Sequence, residues 1–373
     1  MKIRIGITGQ EGFIGQHLYN TLGLFPEEFE RIAYERNYFD DQELLEKFVS
    51  KCDVIIHLAA VNRHNDPQVI YDTNVALVDK LISALVKSNS NAHVFFSSSS
   101  QEEKNNIYGQ SKKQGRKSLS EWAIKSGGKF TGLIIPNVFG PFGHPYYNSF
   151  IATFCHQLTH NELPRIEQDG LVGLIYVGDL VSTILKEIRG SVGKDGLVIP
   201  YTDQKKVSEI LLLLESYKSQ YFNSGSVPKL ENTFELNLFN TFRSYIDTKN
   251  HFPAKFTVHA DTRGAFVEII RLNVGGQVSF STTHPGITRG NHYHTRKIER
   301  FAVIKGSALI QLRKIGTDEV LDYYLDGNEP AYVDMPIWYT HNIKNIGEGE
   351  LYTNFWINEF FDPNDPDTYF EVV

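Results

Sequence analysis

Short apolar runs and amphipathic stretches alternate along the first two thirds of the chain. "KIRIGITG", "RIAYE", "DVIIHLAA", "AHVFFSSS" and "FTGLIIPNVFG" are rich in β-branched and aromatic residues, which predicts strands. Between them, "FIGQHLYNTLG", "DDQELLEKFVSK", "NVALVDKLISALVKS" and "GQSKKQGRKSLSEWAIKSG" repeat apolar residues at helical spacing. Gly23 is placed to cap the first helix, and acidic residues open the second. Strands separated by helices imply βαβ units, a parallel sheet and right-handed crossovers. Two further helical stretches, "KVSEILLLLESYKSQYF" and "TFELNLFNTFRSYI", flank the polar loop "NSGSVPKLEN". From about residue 252 the rhythm becomes short strands broken by turns: "KFTVHA", "GAFVEIIRL", "QVSFSTT", "ERFAVIKG", "SALIQLRKI", "PAYVDM" and "LYTNFWIN". That spacing suits an all-β barrel or jelly roll. The expected organisation is an α/β, doubly wound domain over residues 1–248 and an all-β domain over residues 249–373.

Composition narrows the function classes. A length of 373 residues suits about two domains, and 41% apolar with 22% charged residues is ordinary for globular chains. A net charge of −7 without a basic run argues against a nucleic-acid surface. Cys52 and Cys155 lie far apart and fit no metal spacing, so they read as buried thiols in a reducing compartment. The N-terminus lacks a long apolar segment and no 18-residue apolar stretch occurs, so the expectation is a cytoplasmic protein without a membrane span.

Gly6, Gly9, Gly12 and Gly15 recur where the first strand meets the first helix. Glycines there permit a sharp turn and let a pyrophosphate approach the helix N-terminus. The third strand ends in "HLAA", whose small residues keep a crevice open. In "YGQSK", Tyr108 and Lys112 are one helical turn apart. A phenol can protonate a ketone oxygen as hydride arrives at carbon, and an ammonium beside it is expected to lower the phenol pKa. The serines that end "AHVFFSSS" would present a hydroxyl to the same carbonyl. After the second strand, "AYERNYFDD" offers both Glu35, which would suit a free ribose hydroxyl, and Arg36, which would suit a 2′-phosphate. The reading leans to NADPH through Arg36. Asp40 is placed either to read the adenine or to cap a helix.

These motifs, with "PNVFGP" and "YVGDLV", resemble the extended short-chain dehydrogenase/reductase family over roughly residues 1–245. The resemblance implies a Rossmann domain holding a nicotinamide cofactor at Gly9, Gly12, Phe13, Ile14, Gly15, Leu58, Ala59 and Ala60. It implies Tyr108 as the acid, Lys112 as its partner and ribose contact, and Ser99, or alternatively Ser98, as the hydroxyl. Asn137 would contact a bound sugar nucleotide. Two departures stand out: a short Ser99–Tyr108 interval, and no arginine before "YVGD".

A second chemistry lies near residue 290. His292 and His294 alternate on one strand and so share a face, Glu299 follows, and "PIWYTHNIKN" adds His341. Three imidazoles and a carboxylate suit zinc or another first-row divalent ion. The spacing Gly286, His292, His294, Glu299, Gly306 resembles the cupin superfamily, with a partial second motif at Pro336, His341 and Asn345. "DTRGAFVEI" resembles the entrance of deoxysugar-epimerase cupins, which implies that Arg263 contacts a nucleotide diphosphate.

A keto-sugar joins both chemistries, because a C4 ketone acidifies the neighbouring C–H and can then accept hydride. A reductase of this type fused to such a cupin is similar to a family of bifunctional capsular polysaccharide enzymes. The resemblance implies a cytoplasmic homodimer acting on a UDP-2-acetamido-2,6-dideoxy-4-hexulose. C3 epimerisation in the cupin and C4 reduction with NADPH would give UDP-2-acetamido-2,6-dideoxy-L-talose, on the route to N-acetyl-L-fucosamine. Tyr293, Lys297, His259 and Tyr339 are chemically able proton carriers for the epimerisation. Rival readings are a reductase whose cupin metal is only structural, and a non-enzymatic sugar-nucleotide sensor, which would need no Tyr108–Lys112 pair.

Overall fold

The computed structural model describes residues 1–262, 264–273 and 275–373. They form two compact units, residues 1–153 with 166–207 and residues 154–165 with 208–373. The chain begins β1 (Ile3–Thr8), α1 (Phe13–Leu22), β2 (Phe29–Ile32), α2 (Gln42–Ser50), β3 (Val54–His57), α3 (Pro67–Lys87), β4 (His93–Ser99), α4 (Ile107–Ser126), β5 (Phe130–Ile135) and β6 (Asn137–Phe139). It continues with α5 (Phe150–Thr159), β7 (Leu171–Tyr176), α6 (Val177–Gly190), β8 (Lys194–Val198) and β9 (Asp203–Lys206).

In the first unit, six strands in the order β2-β1-β3-β4-β5-β8 form a parallel sheet. Every residue of β3 and β4 is buried, because helices cover both faces. Alternate residues feed two cores: Ile56 packs with Ile7, Leu18 and Leu180, while Ile55 packs with Phe48, Leu81 and Leu119. The strand order reverses between β1 and β3, and a crevice opens beyond the carboxyl ends of strands at such a point.

Two boundaries differ from the sequence pattern for local reasons. Helix α3 starts earlier than its apolar repeat, because the Asp66 carboxylate accepts the Gln68 N–H at 2.9 Å and Pro67 occupies the first turn. "FTGLIIPNVFG" divides at Pro136, which has no N–H to donate: β5 stays in the parallel sheet and β6 joins β7 and β9 in a separate one.

Helices α7 (Val207–Tyr217) and α8 (Thr233–Arg243) precede the strand-rich region. That region runs β10 (Ala254–Lys255), β11 (Val258–Asp261), β12 (Gly264–Val267), β13 (Gln277–Thr283), β14 (Thr288–Tyr293), β15 (Glu299–Lys305), β16 (Ser307–Lys314), β17 (Val320–Asp326), β18 (Ala331–Met335), β19 (Tyr339–Asn345), β20 (Leu351–Ile357) and β21 (Tyr369–Phe370). Two five-stranded antiparallel sheets result, β10-β18-β15-β20-β13 and β17-β16-β19-β14-β21. Phe301, Val303 and Val333 from one sheet and Ile310, Leu325 and Ile343 from the other build the core.

Residues 208–248 belong with these sheets, whereas the texture of the sequence placed a boundary at 248/249. The reason is a buried polar anchor. The Tyr221 hydroxyl donates to Asp334 Oδ2 at 2.6 Å, and Arg243 donates to the Met335 carbonyl at 2.9 Å. Among the described residues, no helix is long and apolar enough to cross a membrane.

Candidate active site and metal centre

A cavity of about 1070 Å³ occupies the crevice of the first unit. Gly9 follows β1 with φ +74°, and a Cβ there would lie 2.8 Å from the Ala59 nitrogen. Only glycine takes that turn beside that backbone without strain. Gly12 is the N-cap of α1 and makes no side-chain cap, so the first-turn N–H groups stay available to an anion. Gly9, Gly12, Phe13, Ile14 and Gly15 line the cavity, as do Leu58, Ala59 and Ala60 beyond β3. This glycine-lined crevice, with the uncapped first turn of α1 opening onto it, fits a dinucleotide pyrophosphate. Arg36 and Asp40, on a short turn after β2, also line it, while Glu35 is not among the lining residues.

Tyr108, Lys112, Ser98, Ser99 and Asn137 line the same cavity. Asn106 caps α4 by accepting the Gly109 N–H at 2.8 Å, which puts Tyr108 in the first turn and Lys112 one turn on. The Lys112 Nζ lies 5.7 Å from the centre of the Tyr108 ring, 5.1 Å from that of Phe96 and 3.5 Å from the Ser97 hydroxyl. Burial pulls the Lys112 ammonium down to about 8. The Tyr108 phenol is pushed up to about 12, by burial first and then by the Tyr147 phenol. This departs from the expectation that Lys112 lowers Tyr108: desolvation, which favours the neutral form of both groups, sets the direction of both shifts.

The two candidate serines point to opposite faces of β4. Ser98 donates its hydroxyl to the buried Glu102 Oε1. Ser99 instead accepts the Gln101 N–H at 3.1 Å. Glu102 is clamped by Arg116 from α4, with Nε at 2.9 Å and the terminal nitrogen at 2.8 Å. The clamp ties the segment after β4 to the helix that carries Tyr108 and Lys112. A Cβ on Gly109 would lie 2.0 Å from the Gln101 carbonyl oxygen, so the two segments touch there. Sequence reasoning missed Glu102, Arg116 and Gly109, whose partners are set by tertiary contact. The short Ser99–Tyr108 interval was the available signal. Asn137 spends one amide hydrogen on the Gly173 carbonyl at 3.3 Å.

In the second unit, His292, His294, Glu299 and His341 converge, with one ligand atom from each lying within 4.8 Å of the others. His292 lies near the end of β14 and His294 just beyond it, Glu299 opens β15, and His341 on β19 pairs with His292. Glu299 Oε2 is 3.3 Å from His294 Nε2 and 3.1 Å from His341 Nε2. Each of these rings directs Nδ1 at a carbonyl, that of Asp367 at 2.6 Å for His294 and that of Tyr339 at 3.2 Å for His341. Donation there leaves both Nε2 lone pairs facing the carboxylate. His341 Nε2 is buried without a hydrogen-bond partner among the described residues. Buried polar atoms are normally paired, so this donor set fits a divalent cation. Burial works to raise Glu299, but the two imidazoles beside it, His294 and His341, win and hold it well below the usual carboxylate range. Burial, helped by His341, pulls His292 down to about 4, which keeps its ring neutral.

The proposed proton carriers are dispersed. Tyr293 stacks between Trp338 and Tyr369, Lys297 donates its ammonium to the Pro366 carbonyl, and His259 lies on the exposed strand β11. Tyr339 is half-buried, and that burial pushes it up to about 12. Arg263 lies outside the described residues.

Residues 5–196 match the model of the NAD dependent epimerase/dehydratase family. The chain belongs to that family. Residues 259–369, which include the four clustered ligands, match the polysaccharide biosynthesis C-terminal domain. The chain is 32% identical over 374 residues to a Pseudomonas aeruginosa protein named UDP-2-acetamido-2,6-beta-L-arabino-hexul-4-ose reductase, with 98% of each covered. It resembles the crystal structure of the capsular polysaccharide assembling protein CapF from Staphylococcus aureus at 36% identity and a TM-score of 0.62, covering 99% of this chain and 100% of that one. The Bacillus subtilis spore coat polysaccharide biosynthesis protein SpsL is 28% identical over 123 residues, 30% of this chain and 82% of that one.

Proposed function

We propose that the chain is a bifunctional nucleotide-sugar enzyme. The first unit reduces the C4 ketone of a UDP-2-acetamido-2,6-dideoxy-4-hexulose with NADPH, and the second, a cupin, inverts C3 beforehand. The observation that carries the reading is that Tyr108, Lys112 and Ser99 share one cavity with the glycine cradle. Full-length similarity to a reductase of a UDP-4-ketose and to CapF supports the substrate class.

NADPH held at Gly9, Gly12, Gly15 and Arg36 would supply the hydride. Ser99 donates to the C4 oxygen and fixes its direction, since Ser98 is engaged by Glu102. Tyr108 carries its proton at neutral pH, as any phenol does and more firmly because burial raises its pKa, and it passes that proton to the oxygen as negative charge builds there. A proton shed by a phenol beside Lys112 leaves charge that the ammonium stabilises. In the second unit, zinc or another first-row divalent ion on His292, His294, Glu299 and His341 would supply Lewis-acid polarisation of the carbonyl. A base of that unit takes the C3 proton, and return from the other face inverts the carbon. The product is UDP-2-acetamido-2,6-dideoxy-L-talose, made by a cytoplasmic homodimer for capsular N-acetyl-L-fucosamine.

The test is incubation with the UDP-4-ketose in deuterated water, with and without NADPH, followed by NMR. C3 deuterium without NADPH and a C4 carbinol with it are expected. Carbinol formation without any C3 exchange would leave a reductase alone, and the absence of both would sink the proposal.

A further inference from the structure

We infer that Asp367 is a positioning residue for the metal centre, and that the C-terminal segment 366–371 is a strap built into it. The inference rests on the metal reading above.

Asp367 lies 68 residues beyond Glu299 in sequence, yet it is 2% exposed and sits against the turn that joins β14 to β15. That turn, Thr295–Ile298, bridges ligand His294 to ligand Glu299. Three of its backbone N–H groups, those of Thr295, Arg296 and Lys297, aim at one carboxylate. Asp367 Oδ1 accepts from the Thr295 nitrogen at 3.0 Å and the Thr295 hydroxyl at 2.6 Å. Oδ2 accepts from the Arg296 nitrogen at 3.0 Å and the Lys297 nitrogen at 3.1 Å. Successive N–H groups around one anion form a nest, whose geometry the anion fixes. The Asp367 backbone acts on the ligand itself, since its carbonyl holds His294 Nδ1 at 2.6 Å. That contact sets both the ring orientation and the tautomer that leaves Nε2 bare. Asp367 takes φ 38°, a left-handed conformation that aspartate tolerates better than most residues and that lets carbonyl and carboxylate face the same turn.

The rest of the segment is fastened to the strands that carry the ligands. β21 pairs with β14 so that Phe370 lies opposite His292 and Tyr369 opposite Tyr293. The Glu371 nitrogen donates to the Asn291 carbonyl at 3.0 Å, and the hydroxyl of Thr340, beside His341, donates to the Glu371 carbonyl. The Lys297 ammonium donates to the Pro366 carbonyl at 2.7 Å. The strap therefore touches residues adjacent to His292, His294 and His341, and reaches Lys297 two residues before Glu299. Groups that orient metal ligands typically govern affinity by about 10–100-fold.

The test uses the full chain with Zn²⁺, and with Co²⁺ as a spectroscopic reporter. Affinity is measured by competition with a chromophoric chelator, at a temperature where circular dichroism shows every variant folded. Asp367→Ala is expected to weaken zinc by about 10–100-fold and to alter the cobalt ligand-field bands. Asp367→Asn keeps size and one acceptor but turns an NH₂ toward the turn's donors, so it is expected to fall between Ala and wild type; it carries the test if the Ala variant does not fold. A purely structural role would lower thermal stability equally with and without metal and leave the zinc constant and cobalt bands unchanged. That result would overturn the inference. A wild-type chain that takes up neither ion would overturn the metal reading itself, which is a different outcome.

Discussion

Replacing Gly109 by alanine tests how the acid site is assembled. The added Cβ would lie 2.0 Å from the Gln101 carbonyl oxygen, whereas ordinary contact begins at 3.4 Å. About 1.4 Å of retreat is needed, and both sides are held. Gln101 precedes Glu102, which is fixed by Arg116 and Ser98, and its N–H is bonded to Ser99. On the other side, Gly109 follows Tyr108 in the first turn of α4. Either Ser99 or Tyr108 must move by roughly 1 Å, and a misplacement of that size costs about 100-fold in rate, or ~2.7 kcal/mol of barrier. The assay is NADPH oxidation with the UDP-4-ketose, alongside NADPH binding by fluorescence. We expect kcat to fall about 100-fold with NADPH affinity unchanged, because the Gly9 cradle is a separate element. Alanine at 109 with kcat within threefold of wild type would refute the reasoning.

Other consequences concern cofactor choice, a buried ion pair and acid stability. Arg36→Ala should raise the KM for NADPH by about 10–100-fold, a charge-assisted contact being worth ~1.5–3 kcal/mol, and leave NADH nearly unaffected; equal losses for both cofactors would discard the 2′-phosphate assignment. Asp334→Leu strands Arg300, whose guanidinium bonds both carboxylate oxygens at 2.7 and 2.8 Å, so unfolding should become easier by ~3–5 kcal/mol in urea. A change below about 1 kcal/mol would contradict that. Burial pulls His57 down to about 3 and His93 to about 4. Unfolded imidazoles protonate near ~6.5 while these do not, so stability should hold above that pH and decline as pH drops toward 4. His93→Asn should flatten the decline, and an unchanged slope in urea midpoint against pH would count against it.

What the sequence disclosed is what local geometry dictates. The glycine spacing, the Tyr108–Lys112 turn and the alternation of His292 and His294 each need only one element, and the structure gathers them in the cavity and the cluster. The choice between Ser98 and Ser99 depends on Glu102, whose partner Arg116 lies on the next helix. The direction of the Tyr108 shift depends on desolvation by neighbours distant in sequence. The helices of residues 208–243 read simply as helices, and buried bonds such as Tyr221–Asp334 and Arg243–Met335 tie them to the strand-rich unit. Asp367 carried no motif, because a nest is made by the turn it fills.

The central claim is that Tyr108 delivers the proton that completes hydride transfer. NADPH consumption by Tyr108→Phe in the presence of the UDP-4-ketose tests it most directly. The account predicts a loss of about 10²–10⁴-fold in kcat with NADPH still bound at wild-type affinity. Consumption at the wild-type rate would contradict it.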